Sequence, residues 1–408
     1  MKSYFKINCI KIKKKKIKTG DKSLSHRGII YCLIKNCIIE ISNILESLDI
    51  LSTINLCKNM GIYIYGPINS YLLASSLKKK NIKNKISYLG NSGTTIRITL
   101  SLLTKNNFVI GDKSLNKRTM YRIIKPLTLI GYVLQCKKNF FTPIIIIKKN
   151  NFGLKYNLVN FSSQIKSCLL LSSLNSFFKI FLKEKKKTRD HTERFLPILK
   201  NKIKNFNIKI PNDFSSISFI ISYNLINKNN FILNLGFNKL RNGFFEYLLN
   251  SNLKFFFIKK KIYKNEHFVK IFFFKFFNKK NTIFSENISK MIDEIPTLLL
   301  LLVKLKNKNK IYGLEELKFK ESNRFLSMYY NIIFLGIKII KKKNYLIFKS
   351  KNLHNNYVKS LSDHRLFMSF YIGNIPNIKI SNPENILSSF PSFFNLFNNK
   401  KNNYYVYK

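Results

Sequence analysis

The sequence predicts a two-domain α/β protein in which helices and mainly parallel strands form layers. The chain of 408 residues is longer than a single domain with one hydrophobic core usually is, so two domains are expected. Segments with helical and strand-like spacing of apolar residues alternate along the chain, which is typical of layered α/β folds. Short polar clusters recur at intervals of about 50 to 80 residues, and each leads into an apolar helical segment. This recurrence predicts six copies of one supersecondary unit.

The first cluster, Gly20-Asp21-Lys22-Ser23, ends a basic strand-like segment and opens an apolar run. Glycine permits a sharp turn, and Asp or Ser can cap the helix that follows. Lys22 and Arg27 are spaced so that both can face one anion near the positive end of that helix. The pattern therefore indicates a phosphate-binding site.

Five further clusters precede apolar segments that we expect to be buried helices. If the six helix N-termini converge, their dipoles and N–H groups create a cleft that attracts anions. In chain order these clusters are 90–95, 160–164, 211–216, 293–296 and 362–365. A second, more polar helix and short strands follow in each repeat, and these helices are expected at 52–60, 121–129, 244–248 and 324–334.

The composition is that of a globular protein with an unusual charge. Hydrophobic residues make up 45% of the chain, which is enough for a sizeable core. The formal net charge of +54 would normally indicate a nucleic-acid or anionic membrane partner. Lys, Asn, Ile, Phe and Tyr are abundant together, however, while tryptophan is absent, as an AT-rich genome would produce. We therefore interpret most lysines as solvated surface charge and expect no nucleic-acid partner.

Three other patterns exclude further classes of protein. The six cysteines form no C-x-x-C pair and mostly lie in apolar runs, as small buried residues of a reducing compartment do. The five histidines show no metal-ligand spacing, so no metal site is expected. No apolar run reaches the roughly 18 residues of a membrane span, and no signal-peptide block is present. We expect a soluble cytoplasmic protein.

Eight ordered blocks along the chain resemble the signatures of the EPSP synthase family, whose members are enolpyruvyl transferases. The resemblance implies a two-domain inside-out α/β barrel, with three βαβαββ units in each domain and an active-site cleft between them. It also implies that the N-terminal strand pairs with the C-terminal half, giving domains of 19–227 and of 1–18 with 228–408. The blocks are TGDKSLSHR at 19–27, LGNSGTTIR at 89–97, GDKSLNKR at 111–118, RDHTER at 189–194, DEIP at 293–296, ELKFKESNR at 316–324, DHR at 363–365 and SFP at 389–391.

The resemblance implies transfer of the carboxyvinyl group of phosphoenolpyruvate to the 5-hydroxyl of shikimate 3-phosphate, with release of phosphate. This reaction of the shikimate pathway leads to chorismate and aromatic amino acids. It needs no cofactor, and the protein is expected to be a monomer. Both substrates carry phosphate and carboxylate groups, which explains why many blocks contribute arginine or lysine. A planar guanidinium group pairs with either anion through two parallel hydrogen bonds.

Matching the family's motifs residue by residue assigns three sets of site residues. The residues expected to bind phosphoenolpyruvate are Lys22, Gly93, Arg118, Gln164, Arg324 and Arg365. Those expected to bind shikimate 3-phosphate are Lys22, Ser23, Arg27, Ser162, Ser163, Gln164, Thr188, Arg189, Asp293 and Lys320. The expected catalytic residues are Asp293 and Glu321, which exchange protons with the substrates in an order left open, together with Lys22.

Two departures from the family's pattern affect the donor site. Asn323 stands where aspartate is usual before Arg324, which removes a charge and can loosen the orientation of that arginine. Ser388 and Ser389 occupy a region where some members carry a lysine. One contact to phosphoenolpyruvate is therefore expected to be missing or supplied differently.

Two alternative functions remain open from the sequence. UDP-N-acetylglucosamine enolpyruvyl transferases share the fold and the donor, but they generally carry a cysteine in the loop that corresponds to 111–118. This chain has Ser114-Leu115-Asn116-Lys117 there. The other alternative is a basic nucleic-acid-binding protein that has lost catalysis, and its binding would weaken as salt increases.

Overall fold

The computed structural model describes residues 2–7, 11–12, 17–77, 86–150, 152–158, 162–175, 178–185, 187–200, 204–251, 253–275, 282–283, 285–305, 308–319, 322–342, 345–349, 357–376, 378–398 and 403–407. The α-helices are α1 (Lys22–Ile34), α2 (Leu48–Asn59), α3 (Gly93–Thr99), α4 (Tyr121–Leu129), α5 (Ser163–Ser172), α6 (His191–Lys200), α7 (Phe214–Ile226), α8 (Gly243–Asn250), α9 (Ser285–Met291), α10 (Ile295–Lys304), α11 (Arg324–Phe334) and α12 (His364–Ile372). The strands are β1 (Lys2–Ile7), β2 (Lys11–Ile12), β3 (Ile38–Ser42), β4 (Tyr63–Ile68), β5 (Tyr71–Ser75), β6 (Ile86–Tyr88), β7 (Phe108–Ile110), β8 (Tyr132–Lys137), β9 (Phe141–Lys149), β10 (Leu154–Leu158), β11 (Ile180–Glu184), β12 (Asn205–Lys209), β13 (Phe231–Gly236), β14 (Lys254–Tyr263), β15 (Glu266–Lys275), β16 (Thr282–Ile283), β17 (Lys308–Tyr312), β18 (Lys338–Lys341), β19 (Tyr345–Lys349), β20 (Tyr357–Val358), β21 (Ile378–Ser381), β22 (Phe397–Asn398) and β23 (Asn403–Tyr407).

Contacts within the chain divide it into two compact units. The N-terminal unit consists of Gly20–Pro211 and Ile262–Glu266, and the C-terminal unit consists of Met1–Thr19, Asn212–Lys261 and His267–Lys408. The division at 211/212 comes before α7, whereas the sequence analysis expected it after that helix, at 227/228. The difference arises because α7 is buried on all sides and packs against α10 and α12 of the C-terminal unit.

Each four-stranded sheet combines one parallel pair of strands with antiparallel neighbours. The strand orders are β12-β3-β5-β4 and β6-β7-β9-β8 in the N-terminal unit, with β10-β11 as a separate parallel pair. In the first sheet only β12 and β3 are parallel, and in the second only β6 and β7. A helical crossover returns a strand in the parallel direction, whereas a short turn reverses it. The expectation of mainly parallel strands is therefore wrong for the hairpins of the repeats.

The C-terminal unit repeats this plan. Its sheets have the orders β20-β21-β1-β23, β16-β17-β19-β18, β13-β15-β14 and β2-β22. β1 pairs antiparallel with both neighbours, so that Tyr4 lies opposite Ser381 on one side and Tyr405 on the other. The N-terminal strand thus completes a sheet of the C-terminal half of the chain.

The helices that follow the six polar clusters are buried, as the sequence predicts. They are α1, α3 and α5 in the N-terminal unit and α7, α10 and α12 in the C-terminal unit. In α10, for example, the side chains of 298–303 are no more than 2% exposed. In the part of the chain that the structure describes, no helix is both long enough and apolar enough to cross a bilayer.

The tip of the β14–β15 hairpin, Ile262–Glu266, belongs to the N-terminal unit, although most of both strands belongs to the C-terminal unit. Nδ1 of His191 lies 2.7 Å from Oε1 of Glu266, and both side chains are buried. The hydroxyl of Tyr263 donates to the carbonyl oxygen of Asn207 at 2.7 Å. The chain therefore passes between the units four times, at 19/20, 211/212, 261/262 and 266/267.

Two leucines of α4 test how the N-terminal unit is stabilised. Leu127 is 0% exposed within the core, whereas Leu129 of the same helix is 51% exposed. We expect Leu127→Ala to lower the free energy of unfolding by about 2–5 kcal/mol, because it leaves a cavity. Leu129→Ala, with the same change in helix propensity, should cost less than about 1 kcal/mol. Urea unfolding followed by circular dichroism measures both, and equal losses would contradict the burial of Leu127.

Candidate active site

The start of α1 carries Lys22 in a constrained turn. A Cβ at Gly20 would lie 2.0 Å from the carbonyl oxygen of Asn43, so glycine is required by this close approach. Oδ1 of Asp21 caps the helix by accepting a backbone N–H at 2.9 Å. Nζ of Lys22 lies 2.5 Å from Oδ2 of Asp49, in the first turn of α2. The sequence analysis missed Asp49, although an acidic residue at a helix start was a usable signal.

Arg27 joins three helices inside the N-terminal unit. It is 1% exposed, and its Nη1 donates to Oγ of Ser23 at 2.6 Å and to the carbonyl oxygen of the same residue at 2.9 Å. Its Nη2 donates to Oγ of Ser167 in α5 at 2.6 Å, and its Nε donates to Oγ1 of Thr192 in α6 at 2.8 Å. Burial lowers the pKa of this guanidinium group from its ordinary value. Arg27 thus fixes Ser23 and aligns α1 with α5 and α6.

Two guanidinium groups flank Gly93 at the start of α3. A Cβ at this glycine would lie 3.5 Å from Nη1 of Arg118 and 3.5 Å from Nη1 of Arg97. Gln164, in α5, accepts from Arg97 at 3.1 Å and donates to Oγ1 of Thr94 at 3.0 Å. The structure therefore brings together three residues predicted for the donor site, and the missing side chain of Gly93 leaves space beside both cations.

A buried row of hydrogen bonds links α1, α2 and α3. Nδ1 of His26 lies 2.7 Å from Oγ1 of Thr53, which lies 2.7 Å from Oγ1 of Thr95, and that hydroxyl lies 2.6 Å from Oγ of Ser92. Burial lowers the pKa of His26 well below its ordinary value, and the neighbouring cations of α1 lower it further. This neutral histidine was not singled out by its sequence, because its partners lie on other helices.

The remaining predicted residues of the N-terminal unit are half-buried. Ser162 and Ser163 stand at the start of α5, and Thr188 and Arg189 lie in the segment between β11 and α6. Oγ1 of Thr188 donates to Oε1 of Glu184 at 2.6 Å. These hydroxyl and guanidinium groups are donors that suit a phosphate or carboxylate.

In the C-terminal unit, two arginines and two aspartates form one group. Nε of Arg324 donates to Oδ2 of Asp363 at 2.6 Å, and its Nη2 donates to Oδ1 at 3.3 Å. Nη1 of Arg324 lies 3.6 Å from Oδ1 of Asp293, whose carbonyl oxygen accepts from Nη1 of Arg365 at 3.0 Å. The arrangement brings the carboxylate of Asp293 close to Arg324 and its backbone carbonyl oxygen close to Arg365.

Arg324 is held firmly despite the departure at Asn323. The side-chain oxygen of Asn323 caps α11, while Asp363 supplies Arg324 with a two-point charged contact. The expected loosening of Arg324 is therefore absent from the structure. Among the described residues, no group of three or more His, Cys, Asp or Glu could hold a metal ion. The predicted residues Lys320 and Glu321 lie outside the described residues.

Comparisons with known proteins find relatives over almost the whole chain. Residues 11–397 match the family described as EPSP synthase (3-phosphoshikimate 1-carboxyvinyltransferase). The 3-phosphoshikimate 1-carboxyvinyltransferase of Petrotoga mobilis is 32% identical over 408 residues, covering 93% of this chain and 94% of that protein. The Thermoanaerobacter sp. protein of the same name is 30% identical over 402 residues, covering 93% and 95%. The EPSP synthase structure from Acinetobacter baumannii covers 97% of both chains at 27% identity with a TM-score of 0.85, which confirms the predicted fold.

His26 makes stability depend on pH in a defined direction. An unfolded histidine binds a proton as the pH falls through its ordinary pKa of 6.5, whereas folded His26 stays neutral until well below that value. The free energy of unfolding should therefore decrease below pH 6.5, by up to about 1.4 kcal/mol per pH unit from this group.

The variant His26→Gln can still form a hydrogen bond to Thr53, but it has no imidazole to protonate. Its free energy of unfolding should therefore decrease less steeply than that of the wild type between about pH 6.5 and 5. His267→Gln, at an exposed position, is the matched control and should keep the wild-type slope. Urea unfolding at several pH values gives the slopes. Identical slopes for His26→Gln and the wild type would show that His26 is not held neutral.

Proposed function

The chain belongs to the EPSP synthase family, and we propose that its two groups of cationic side chains bind the two substrates of that family's reaction. The protein is a transferase that moves the enolpyruvyl group of phosphoenolpyruvate to shikimate 3-phosphate, in the shikimate pathway. The observation that supports the site assignment is that guanidinium groups gather at two places, with Arg97 and Arg118 beside Gly93 and with Arg324 and Arg365 around Asp293. Both substrates carry phosphate and carboxylate, which these groups bind well.

We assign phosphoenolpyruvate to the residues that match the family's donor motifs. In the N-terminal unit, the space beside Gly93 is bordered by Arg118, so the donor's anionic groups can approach the backbone and a guanidinium together. In the C-terminal unit, Arg324 and Arg365 both contact Asp293. The complete proposed set is Lys22, Gly93, Arg118, Gln164, Arg324 and Arg365.

We assign shikimate 3-phosphate to the hydroxyl-rich side of the N-terminal unit. Half-buried serines at the start of α5, with Thr188 and Arg189, offer donors for its phosphate. Arg27 contributes positive charge and holds Ser23 in place, since its own donors already engage protein hydroxyls. The complete proposed set is Lys22, Ser23, Arg27, Ser162, Ser163, Gln164, Thr188, Arg189, Asp293 and Lys320.

The proposed chemistry needs one base and one acid. The base takes the proton of the 5-hydroxyl as that oxygen bonds to the substituted carbon of phosphoenolpyruvate, and the acid protonates the methylene carbon. The tetrahedral intermediate then loses a proton from the new methyl group to one of these two groups and expels phosphate, which restores the double bond. We propose Asp293 and Glu321 for these proton transfers. The cation of Arg324, 3.6 Å from Oδ1 of Asp293, favours the ionised carboxylate that a base requires.

We also propose that the enzyme is monomeric and cytoplasmic, and that nucleic acid is not its partner. The burial of Cys32, Cys37, Cys57 and Cys168 in the two apolar clusters of the N-terminal unit supports a reducing compartment. The lysine excess is better explained by composition than by a binding site, since the same bias raises uncharged Asn, Ile and Phe.

Phosphate release tests the reaction and the role of Asp293. The wild type, given phosphoenolpyruvate and shikimate 3-phosphate, should release phosphate, and UDP-N-acetylglucosamine should not replace the acceptor. Asp293→Asn should lower kcat by about 10²–10⁴ because a proton-transfer group is lost, while acceptor binding persists. Glu40→Gln, a carboxylate on β3, is the control and should keep the wild-type kcat. A near-normal kcat for Asp293→Asn would refute its role.

A pair of substitutions tests how Arg324 is oriented. Asp363→Asn can still cap α12 but removes the charged partner of Arg324, so KM for phosphoenolpyruvate should rise about 10- to 100-fold. Asn323→Asp adds the charge that the family usually carries, and it should change this KM less than about threefold because Arg324 is already held. Steady-state kinetics gives both values. If Asn323→Asp changed this KM more than Asp363→Asn did, residue 323 and not Asp363 would determine the orientation of Arg324.

A further inference from the structure

Lys166 is a buried cation that no sequence motif singled out. It is 3% exposed and lies in α5, in the turn that begins with Ser163. Its Nζ lies 2.5 Å from Oε1 of Glu193, 3.1 Å from Oε2 of Glu184 and 3.3 Å from the carbonyl oxygen of Thr188. An ammonium group has three N–H donors, and these three oxygens can take all of them. A buried lysine is unusual unless it is paired in this way.

The three oxygens come from the elements on either side of a substrate-binding segment. Glu184 ends β11, Glu193 lies in the first turn of α6, and Thr188 lies between them, directly before Arg189. Glu184 also accepts from the hydroxyl of Thr188 at 2.6 Å. Lys166 and Glu184 therefore fix the backbone and the side chain of Thr188 together.

We propose that Lys166 is a positioning residue, which holds the Thr188-Arg189 segment at the start of α5 and thereby sets the affinity for shikimate 3-phosphate. The proposal rests on the proposed function, in which Ser163, Thr188 and Arg189 bind that substrate. Lys166 does not itself bind it, since its ammonium group is buried and its three donors face protein oxygens.

The charge of Lys166 is the essential part of this arrangement. Glu184 and Glu193 both contact the one ammonium group, so its removal leaves two neighbouring carboxylates without the cation that they share. Their repulsion would displace the segment that carries Thr188. The helices remain joined elsewhere, because Oγ of Ser167 lies 2.7 Å from Oγ1 of Thr192 and both bind the same buried arginine. Loss of the charge should therefore disturb the segment more than the fold.

The test compares Lys166→Met with Lys155→Met, a control on the exposed side of β10. We expect Lys166→Met to raise KM for shikimate 3-phosphate at least about tenfold, with kcat and KM for phosphoenolpyruvate changed less than about threefold. Lys155→Met should change none of them. Lys166→Arg, which keeps the charge, should stay within about threefold of the wild type. Adding Glu193→Gln to Lys166→Met should recover part of the loss, because one of the two opposed charges is removed.

Calorimetric titration with shikimate 3-phosphate alone measures the dissociation constant of each variant without turnover. These constants should rank the variants in the same order as the KM values for shikimate 3-phosphate. If Lys166→Met binds it as the wild type does, the positioning role is refuted while the proposed function stands. The positioning role would also be refuted if Lys166→Met lowered kcat and the melting temperature and raised both KM values to a similar extent. That pattern marks a residue that stabilises the fold as a whole. If Lys166→Met does not fold, Glu184→Gln provides a second test, because it leaves Lys166 paired with Glu193. This variant should raise the dissociation constant for shikimate 3-phosphate several-fold, and an unchanged constant would refute the proposal. A wild type that neither binds the acceptor nor releases phosphate would refute the proposed function itself.

Discussion

Both units depend on one constraint, which is that a helix buried on all sides still has unsatisfied backbone N–H groups in its first turn. In four of these helices a side-chain oxygen accepts a hydrogen bond from one or two of these groups, and the capping residues are Asp21, Ser92, Asp213 and Asp363. Polar side chains must therefore gather where apolar helices begin. The same helix ends favour anions, so the site that we propose for phosphate and carboxylate lies where buried helices begin. The fold and the proposed site therefore have a common physical cause.

This common cause explains which features could be predicted from the sequence. A helix cap depends only on residues that are close together in the sequence, and the six polar clusters correctly marked the starts of the buried helices. The bounds expected for α4 and α11 match those of the structure, whereas α2 begins earlier than expected, at Leu48. Strand direction was predicted less well, because it depends on whether a helix or a short turn joins two strands. The division at 211/212 was missed because it depends on where α7 packs.

Charge pairing was beyond prediction for a different reason. The chain has 73 Lys and Arg against 19 Asp and Glu, so sequence spacing cannot tell which lysine has a carboxylate partner. The contacts Lys22–Asp49 and Lys166–Glu184 join separate elements and form only through tertiary packing. Arginine was the more informative cation. The chain contains only nine arginines, and five of them belong to the proposed site. A guanidinium group presents a planar fork of donors that matches a carboxylate or a phosphate at two points.

The return of Ile262–Glu266 to the N-terminal unit limits how this protein can be divided. A fragment of 20–211 would keep α6 with its buried His191 but lose Glu266, whose carboxylate contacts that imidazole. The matching fragment of the other half would keep Glu266, which is buried in the intact chain, but lose His191. Neither unit therefore corresponds to one continuous segment of the chain that could be transferred to another protein as a domain. Five residues, Ile262–Glu266, thus make each half of the chain incomplete without the other.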